Sequence, residues 1–122
     1  MKAKYQGWRR IAYANVYSMK GFIAAWKDEA AFRQELVALI VLAVIASFFP
    51  LTTLDIVLMT ITAGLVLITE LLNSAIETLV DRISPDFHQL SGKAKDIGSA
   101  AVFVALVVFI ITWASILWPK IL

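Results

Sequence analysis

The chain has 122 residues, 61% of them hydrophobic, and a mean hydropathy of +0.82; a soluble globular chain is roughly 45–50% apolar, so the excess exceeds what one small core can hide and lipid is expected to cover it. The net charge is only +2 and no nucleic-acid partner is expected, while the absence of cysteine excludes disulfides, zinc–thiolate sites and thiol catalysis.

Residues 8–27 are expected to form an interfacial helix. Trp8, Ile11, Ala12, Met19, Phe22, Ile23 and Trp26 recur at helical spacing, and Arg9, Tyr13, Lys20 and Lys27 line the opposite side, which lays a helix in the headgroup plane. A first span is predicted over 30–49. Its uninterrupted apolar run begins only at Leu36, and roughly 20 residues are needed to cross hydrocarbon, so Arg33, Gln34 and Glu35 are placed at the interface. Pro50 stops this helix, and Asp55 is expected to cap a second span over 56–83. Ser84-Pro85-Asp86 breaks the chain. A third span follows over 91–118, capped by Ser91 or Asp96, with Trp113 and Trp118 suited to the far interface. Residues 1–122 thus read as one membrane domain. No apolar run with a small-residue cleavage site precedes the first span, which is expected to act as its own insertion signal.

The charges set an orientation. Lys2, Lys4, Arg9, Arg10, Lys20, Lys27 and Arg33 lie before Leu36, none of the basic residues falls between Leu36 and Val80, Arg82, Lys93 and Lys95 follow, and only Lys120 comes after. Basic flanks stay in the cytoplasm. The N-terminus and the 81–96 segment are therefore predicted to be cytoplasmic, and the 50–55 turn and the C-terminus to face the opposite side.

Carboxylates inside a span need a reason. One at mid-helix costs about 2.5–3.5 kcal/mol on insertion scales, and such residues face protein rather than lipid. At about 100° per residue, Glu70, Asn73, Glu77 and Asp81 fall within about 60° of one line, so that face cannot look at lipid. Lys93, Lys95, Asp96 and Ser99 open the third helix, and Asp28 and Glu29 end the surface helix at the same level. Such a set suits a divalent cation and phosphate, because Mg²⁺ takes a few carboxylates plus phosphate oxygens and phosphoryl transfer needs positioning and charge neutralisation. Two other readings remain open. One is a packing network, with Asn73 bonding across an interface and Glu77 paired to Lys95; the other is a small cation-coupled transporter or proton channel. Thr69, Ser74 and Thr78 are expected to bond backbone carbonyls. A Walker A loop ending at Gly92-Lys93 is excluded, since Phe87 and Ala94 stand where glycine and Ser or Thr are required. His88, the sole histidine, lies in the cytoplasmic loop, where it can meet a nucleotide.

The strings AAWKDEAAFRQE (24–35), ELLNSAIETLVDRI (70–83) and HQLSGKAKDIGSAA (88–101) closely resemble prokaryotic diacylglycerol kinase, a small trimeric membrane enzyme. The likeness covers nearly the whole chain. It implies an all-α homotrimer in the bacterial inner membrane, each copy having an amphipathic surface helix and three spans, with sites built between neighbouring subunits. It also implies transfer of the ATP γ-phosphate to the primary hydroxyl of diacylglycerol, giving phosphatidic acid, with Mg²⁺ as the cation; the related undecaprenol kinases share the acidic core, and the AAFRQE string favours diacylglycerol.

The resemblance carries roles onto particular residues. Glu70 becomes the general base beside the lipid hydroxyl, since burial makes a carboxylate a better proton acceptor. Glu29 and Glu77 hold the cation. Arg10, Tyr17, Asn73, Lys95, Asp96 and the loop Asp86, Phe87 and His88 contact the nucleotide together with the two metal-binding carboxylates. The lipid lies along Arg10, Ala14, Asn15, Val16, Tyr17, Ser18 and Met19, beside Glu70 and Ser99. Further lipid contacts fall on Ile23, Ala24, Ala25 and Trp26, and on Ala31, Phe32, Arg33, Gln34 and Glu35. At the outer end they fall on Phe48, Ile56, Trp113, Ala114, Ser115, Ile116, Leu117 and Trp118. Phe87 stands where the family commonly has tyrosine, Pro85 stiffens its loop, and Ile56 and Phe48 replace an Arg and a Trp of a familiar relative.

Overall fold

The computed structural model describes residues 6–122, so Lys2 and Lys4 of the charge argument lie outside the described residues. Four helices follow in chain order: α1 (Trp8–Asp28), α2 (Ala30–Ala46), α3 (Thr53–Ile83) and α4 (Gln89–Ile121). The predicted surface helix corresponds to α1, of which only Ala25 is buried. Trp8, Ile11, Met19, Phe22, Ile23 and Trp26 are all exposed. A single extended residue, Glu29 (φ −115°, ψ 102°), separates α1 from α2.

The first predicted span is shorter as helix than expected. α2 ends at Ala46 rather than Phe49 because its last turn tightens: the amides of Phe48 and Phe49 donate to the carbonyls of Ile45 (3.2 Å) and Ala46 (3.0 Å), and the Ser47 hydroxyl donates to the Val44 carbonyl at 2.6 Å. Its 17 residues rise about 26 Å at about 1.5 Å each, below the roughly 30 Å of a hydrocarbon core. α3 and α4, with 31 and 33 residues, are the two described helices long and apolar enough to cross.

Both predicted caps are corrected. Thr52, not Asp55, caps α3: the Thr52 hydroxyl accepts the Asp55 amide (3.1 Å) while the Asp55 carboxylate accepts the Thr52 amide (3.0 Å). This capping box satisfies two donors where a lone Asp cap satisfies one. α4 begins at Gln89 because His88 Nδ1 accepts the Leu90 amide at 3.1 Å, so Ser91 and Asp96 lie inside the helix.

α3 and α4 form the main seam. Met59, Thr62, Val66, Glu70 and Asn73 are buried on α3, and Gly98, Val102, Ala105, Phe109 and Trp113 on α4, at steps of three and four residues, as for two helices meeting along one stripe. Met59, Val66, Ala105, Phe109 and Trp113 pack with Ala46 of α2 into the apolar core, and the Phe109 and Trp113 rings lie 4.7 Å apart. Trp113, expected to suit the far interface, thus turns its ring into the helix seam rather than outward. Its indole N–H donates to the Met59 carbonyl and the Thr62 hydroxyl, both at 3.2 Å, because a buried indole must find acceptors inside the protein. Trp113→Phe keeps the ring packing and removes that donor. It should cost about 1 kcal/mol, read as an earlier unfolding midpoint in an SDS titration.

Candidate membrane-embedded acidic site

The apolar seam turns polar along α3 without leaving the helix–helix contact. Relative exposure is 1% for Val66, 5% for Glu70 and 9% for Asn73; Glu77 is half-buried and Asp81 exposed. One face thus runs from core to solvent within a few turns. Asn73 Nδ2 donates to Glu77 Oε1 at 3.1 Å, while Asn73 Oδ1 is buried without a hydrogen-bond partner. Across the seam this oxygen occupies the space that a Cβ on Gly98 would need, so the glycine lets α4 close over the amide.

The packing pair Glu77–Lys95 does not form. Lys95 bridges to Asp81 at 2.5 Å, one turn nearer solvent, and Glu77 instead accepts from Asn73. The hydroxyls of Thr69 and Thr78 bond carbonyls of the preceding turn, as expected.

Other helices bring further carboxylates. Glu29 at the α1–α2 link borders a cleft of about 470 Å³ between α1 and α3, with Ser18 and Asp28 on one wall and Ser74 and Thr78 on the other. The charges of Glu29 and Glu77 both act on Glu70, and that of Glu70 acts on Glu35. Glu35 Oε2 is the second buried oxygen without a partner. Carboxylates of the link and α2 thus lie within electrostatic reach of those on α3. Sequence spacing missed Glu35 as a member of this cluster because its position depends on how α2 packs against α3.

Among the described residues no three acidic or histidine side chains gather closely enough to cage a metal ion alone. A Mg²⁺ ion usually binds through one or two carboxylates and would complete its shell here with water and substrate phosphate. Hard carboxylate oxygens are available in Glu29 and Glu77, both half-buried, and no cysteine thiolate competes with them.

The remaining expected contacts are more dispersed. On α1, Arg10, Ala14, Asn15, Val16, Tyr17, Ser18 and Met19 are exposed. Asp86 and Phe87 are exposed in the α3–α4 link, as are Asp96 and Ser99 on α4. Ala25 and Phe32 are buried in protein, whereas Ile23, Ala24, Trp26, Ala31 and Gln34 are exposed. Arg33 reaches back across the α1–α2 link, where its Nη1 donates to the carbonyls of Trp26 (2.7 Å) and Lys27 (3.0 Å) at the end of α1. At the far end Phe48, Ala114, Ser115 and Trp118 are exposed. Ile56 and Trp113 line an apolar groove of about 770 Å³ between α2 and α3, which starts at Leu36 and Leu67 and runs toward Phe49 and Leu51. That groove is the larger cavity, but only the smaller cleft carries polar chemistry.

Long apolar helices closing over a buried carboxylate and amide define a class: an all-α membrane protein with a polar site inside its helix packing. Residues 16–117 match the prokaryotic diacylglycerol kinase family. The diacylglycerol kinase of Escherichia coli strain K12 is 52% identical over 92% of both chains. That of Pseudomonas aeruginosa is 50% identical over 91% of this chain and 90% of its own, and that of Haemophilus influenzae 44% over 94% and 98%. The chain belongs to the prokaryotic diacylglycerol kinase family, and it is a kinase.

Proposed function

We propose that the chain transfers the γ-phosphoryl group of ATP to the primary hydroxyl of diacylglycerol, giving phosphatidic acid and ADP. The observation that carries this reading is the α3 face itself: Glu70 is buried in the seam, Asn73 one turn on donates to Glu77 at 3.1 Å, and Glu29 borders the cleft against the same helix. A lipid hydroxyl comes from the bilayer and ATP from water, so transfer must occur where a buried face meets solvent. Glu70, the most deeply buried of the three carboxylates on the α3 face, takes the hydroxyl proton as the lipid oxygen bonds to the γ-phosphorus and the bond to the β-phosphate oxygen breaks. Glu29 and Glu77 would hold Mg²⁺, whose charge offsets that of the phosphate oxygens when it is bound there. Asn73 orients Glu77 through its amide. Arg10, Tyr17, the 86–88 loop, Lys95 and Asp96 face the nucleotide, and the lipid follows α1, the start of α2, Ser99 and the outer ends of α2, α3 and α4.

The proposed assembly is a homotrimer of one-domain chains in the inner membrane, with three spans, a cytoplasmic N-terminus and an opposite C-terminus. Two physical points support it. α2 completes a crossing only with the tightened turn after it, and Glu29, Glu35 and Glu77 remain half-exposed at a depth where lipid is a poor neighbour, so another copy is needed to cover them.

The test is phosphatidic acid formation by purified protein in mixed micelles with Mg-ATP and diacylglycerol. Product at background level would sink the reading, and turnover of undecaprenol alone would move it to that acceptor. Glu77→Gln should raise the Mg-ATP concentration for half-maximal rate by about ten-fold or more, as for loss of a charged contact, with little change in the diacylglycerol requirement. An unaltered metal dependence would remove Glu77 from the ligand set.

A further inference from the structure

We propose that Arg33 is a positioning residue that locks the α1–α2 elbow and so fixes where Glu29 projects. The inference rests on the reading of Glu29 as a cation ligand, but its support lies in the elbow. Glu29 alone separates α1 from α2. A one-residue link leaves the last carbonyls of α1 without the amides that a continuing helix would supply. The Glu29 amide takes the Ala25 carbonyl at 2.9 Å. The next two, Trp26 and Lys27, are both taken by Arg33 Nη1.

The same residue acts from the other side. The Arg33 amide donates to the Glu29 carbonyl at 3.2 Å, the first bond of α2. Glu29 is therefore held through its own amide by α1 and through its carbonyl by Arg33, while the guanidinium ties the two helices together. Asp28 and Glu29 are near in sequence, yet the guanidinium goes to carbonyls at the negative end of the α1 dipole, where a cation is favoured. Both bonds leave the one nitrogen Nη1, whose two N–H groups are held in the rigid guanidinium plane, whereas an ammonium group rotates on a flexible stem. The elbow angle matters because the cleft wall opposite Glu29 is Ser74 and Thr78 of α3, so a tilt of α1 against α2 moves Glu29 relative to Glu77.

The full chain contains no cysteine, so Lys20→Cys and Val41→Cys place one spin label on α1 and one on α2. Labelled chains diluted with unlabelled ones in lipid give the within-chain distance by pulsed electron resonance. With Arg33 intact a narrow distribution is expected. Arg33→Gln should broaden or shift it, and should raise the Mg²⁺ concentration for half-maximal rate by about ten-fold, a larger factor than any accompanying rise in the KM for diacylglycerol. Arg33→Lys, which keeps the charge and a single donor nitrogen on a more flexible stem, should fall between and guards against a merely misfolded Gln variant. An unchanged distance distribution in Arg33→Gln overturns the proposal, and so does a change in the diacylglycerol KM alone, which would make Arg33 a lipid contact. Glu29→Gln separates the two readings. If it leaves the Mg²⁺ requirement unchanged, Glu29 is not a ligand, while a broadened distance in Arg33→Gln still establishes the clamp.

Discussion

Glu70→Gln should lower kcat by about 10²–10⁴-fold, the usual contribution of a positioned base, while ATP binding stays near its original strength. The expectation follows from position. Glu70 is 5% exposed and sits on the α3 face one turn deeper than Asn73 and two turns deeper than Glu77, on the side from which a lipid hydroxyl would come. Glutamine has the same shape and no basic oxygen. An amide is also cheaper to bury than a carboxylate, so the variant should be at least as stable in an SDS titration, and its loss of rate would not be a loss of fold. Glu35 provides the control, since it is half-buried, has one oxygen buried without a partner, and its charge couples to Glu70. If Glu35→Gln loses more rate than Glu70→Gln, the proton goes to Glu35 and the assignment is wrong. Normal turnover in Glu70→Gln rejects it outright.

The parts of the molecule that repeat at helical spacing are legible in the sequence, and the parts that depend on a partner helix are not. α1 and α3 fall close to the predicted 8–27 and 56–83 because apolar period and breakers at Pro50 and Pro85 are local signals. The polar face of α3 is visible for the same reason. Its continuity with the packing seam is not, since only the pairing of Met59, Val66 and Asn73 with Trp113, Ala105 and Gly98 makes one stripe of core and site. Trp113 shows the difference: composition sends a tryptophan near a helix end to the headgroups, but acceptors at Met59 and Thr62 keep it inside. The cap at Thr52 is readable in principle, because Thr-x-x-Asp resembles a capping box. Gly98 also has a signal, the small residues Gly98-Ser99-Ala100-Ala101 that allow close helix approach. Arg33 has none, because its partners are carbonyls of another helix.

Gly98→Ala should damage both stability and turnover, although alanine is the better helix former. In an open helical position the exchange gains about 1 kcal/mol, and Gly92, with nothing near the place of a new Cβ, should show that gain in unfolding experiments. At Gly98 the added methyl meets Asn73 Oδ1, with the Asn73 Cγ only 3.3 Å away. Asn73 is buried and its Nδ2 is committed to Glu77, so the amide cannot swing aside without releasing that carboxylate. The alternative is for α4 to back away from α3, which loosens the Val102, Ala105 and Phe109 contacts along the seam. Overpacking of this kind costs about 1–3 kcal/mol, so the net effect is a loss wherever the strain exceeds the helix gain. Pairing the change with Asn73→Ala resolves the cause. Removing the amide should restore stability to the Gly98→Ala protein but not its Mg-ATP affinity, since the group that orients Glu77 is then gone. A non-additive stability cycle of about 0.5–3 kcal/mol would mark direct coupling between the two residues. Additive effects, or a Gly98→Ala protein as stable and active as the parent, would mean that the backbone relaxes freely here and that the close approach of α4 does not hold the acidic face in place.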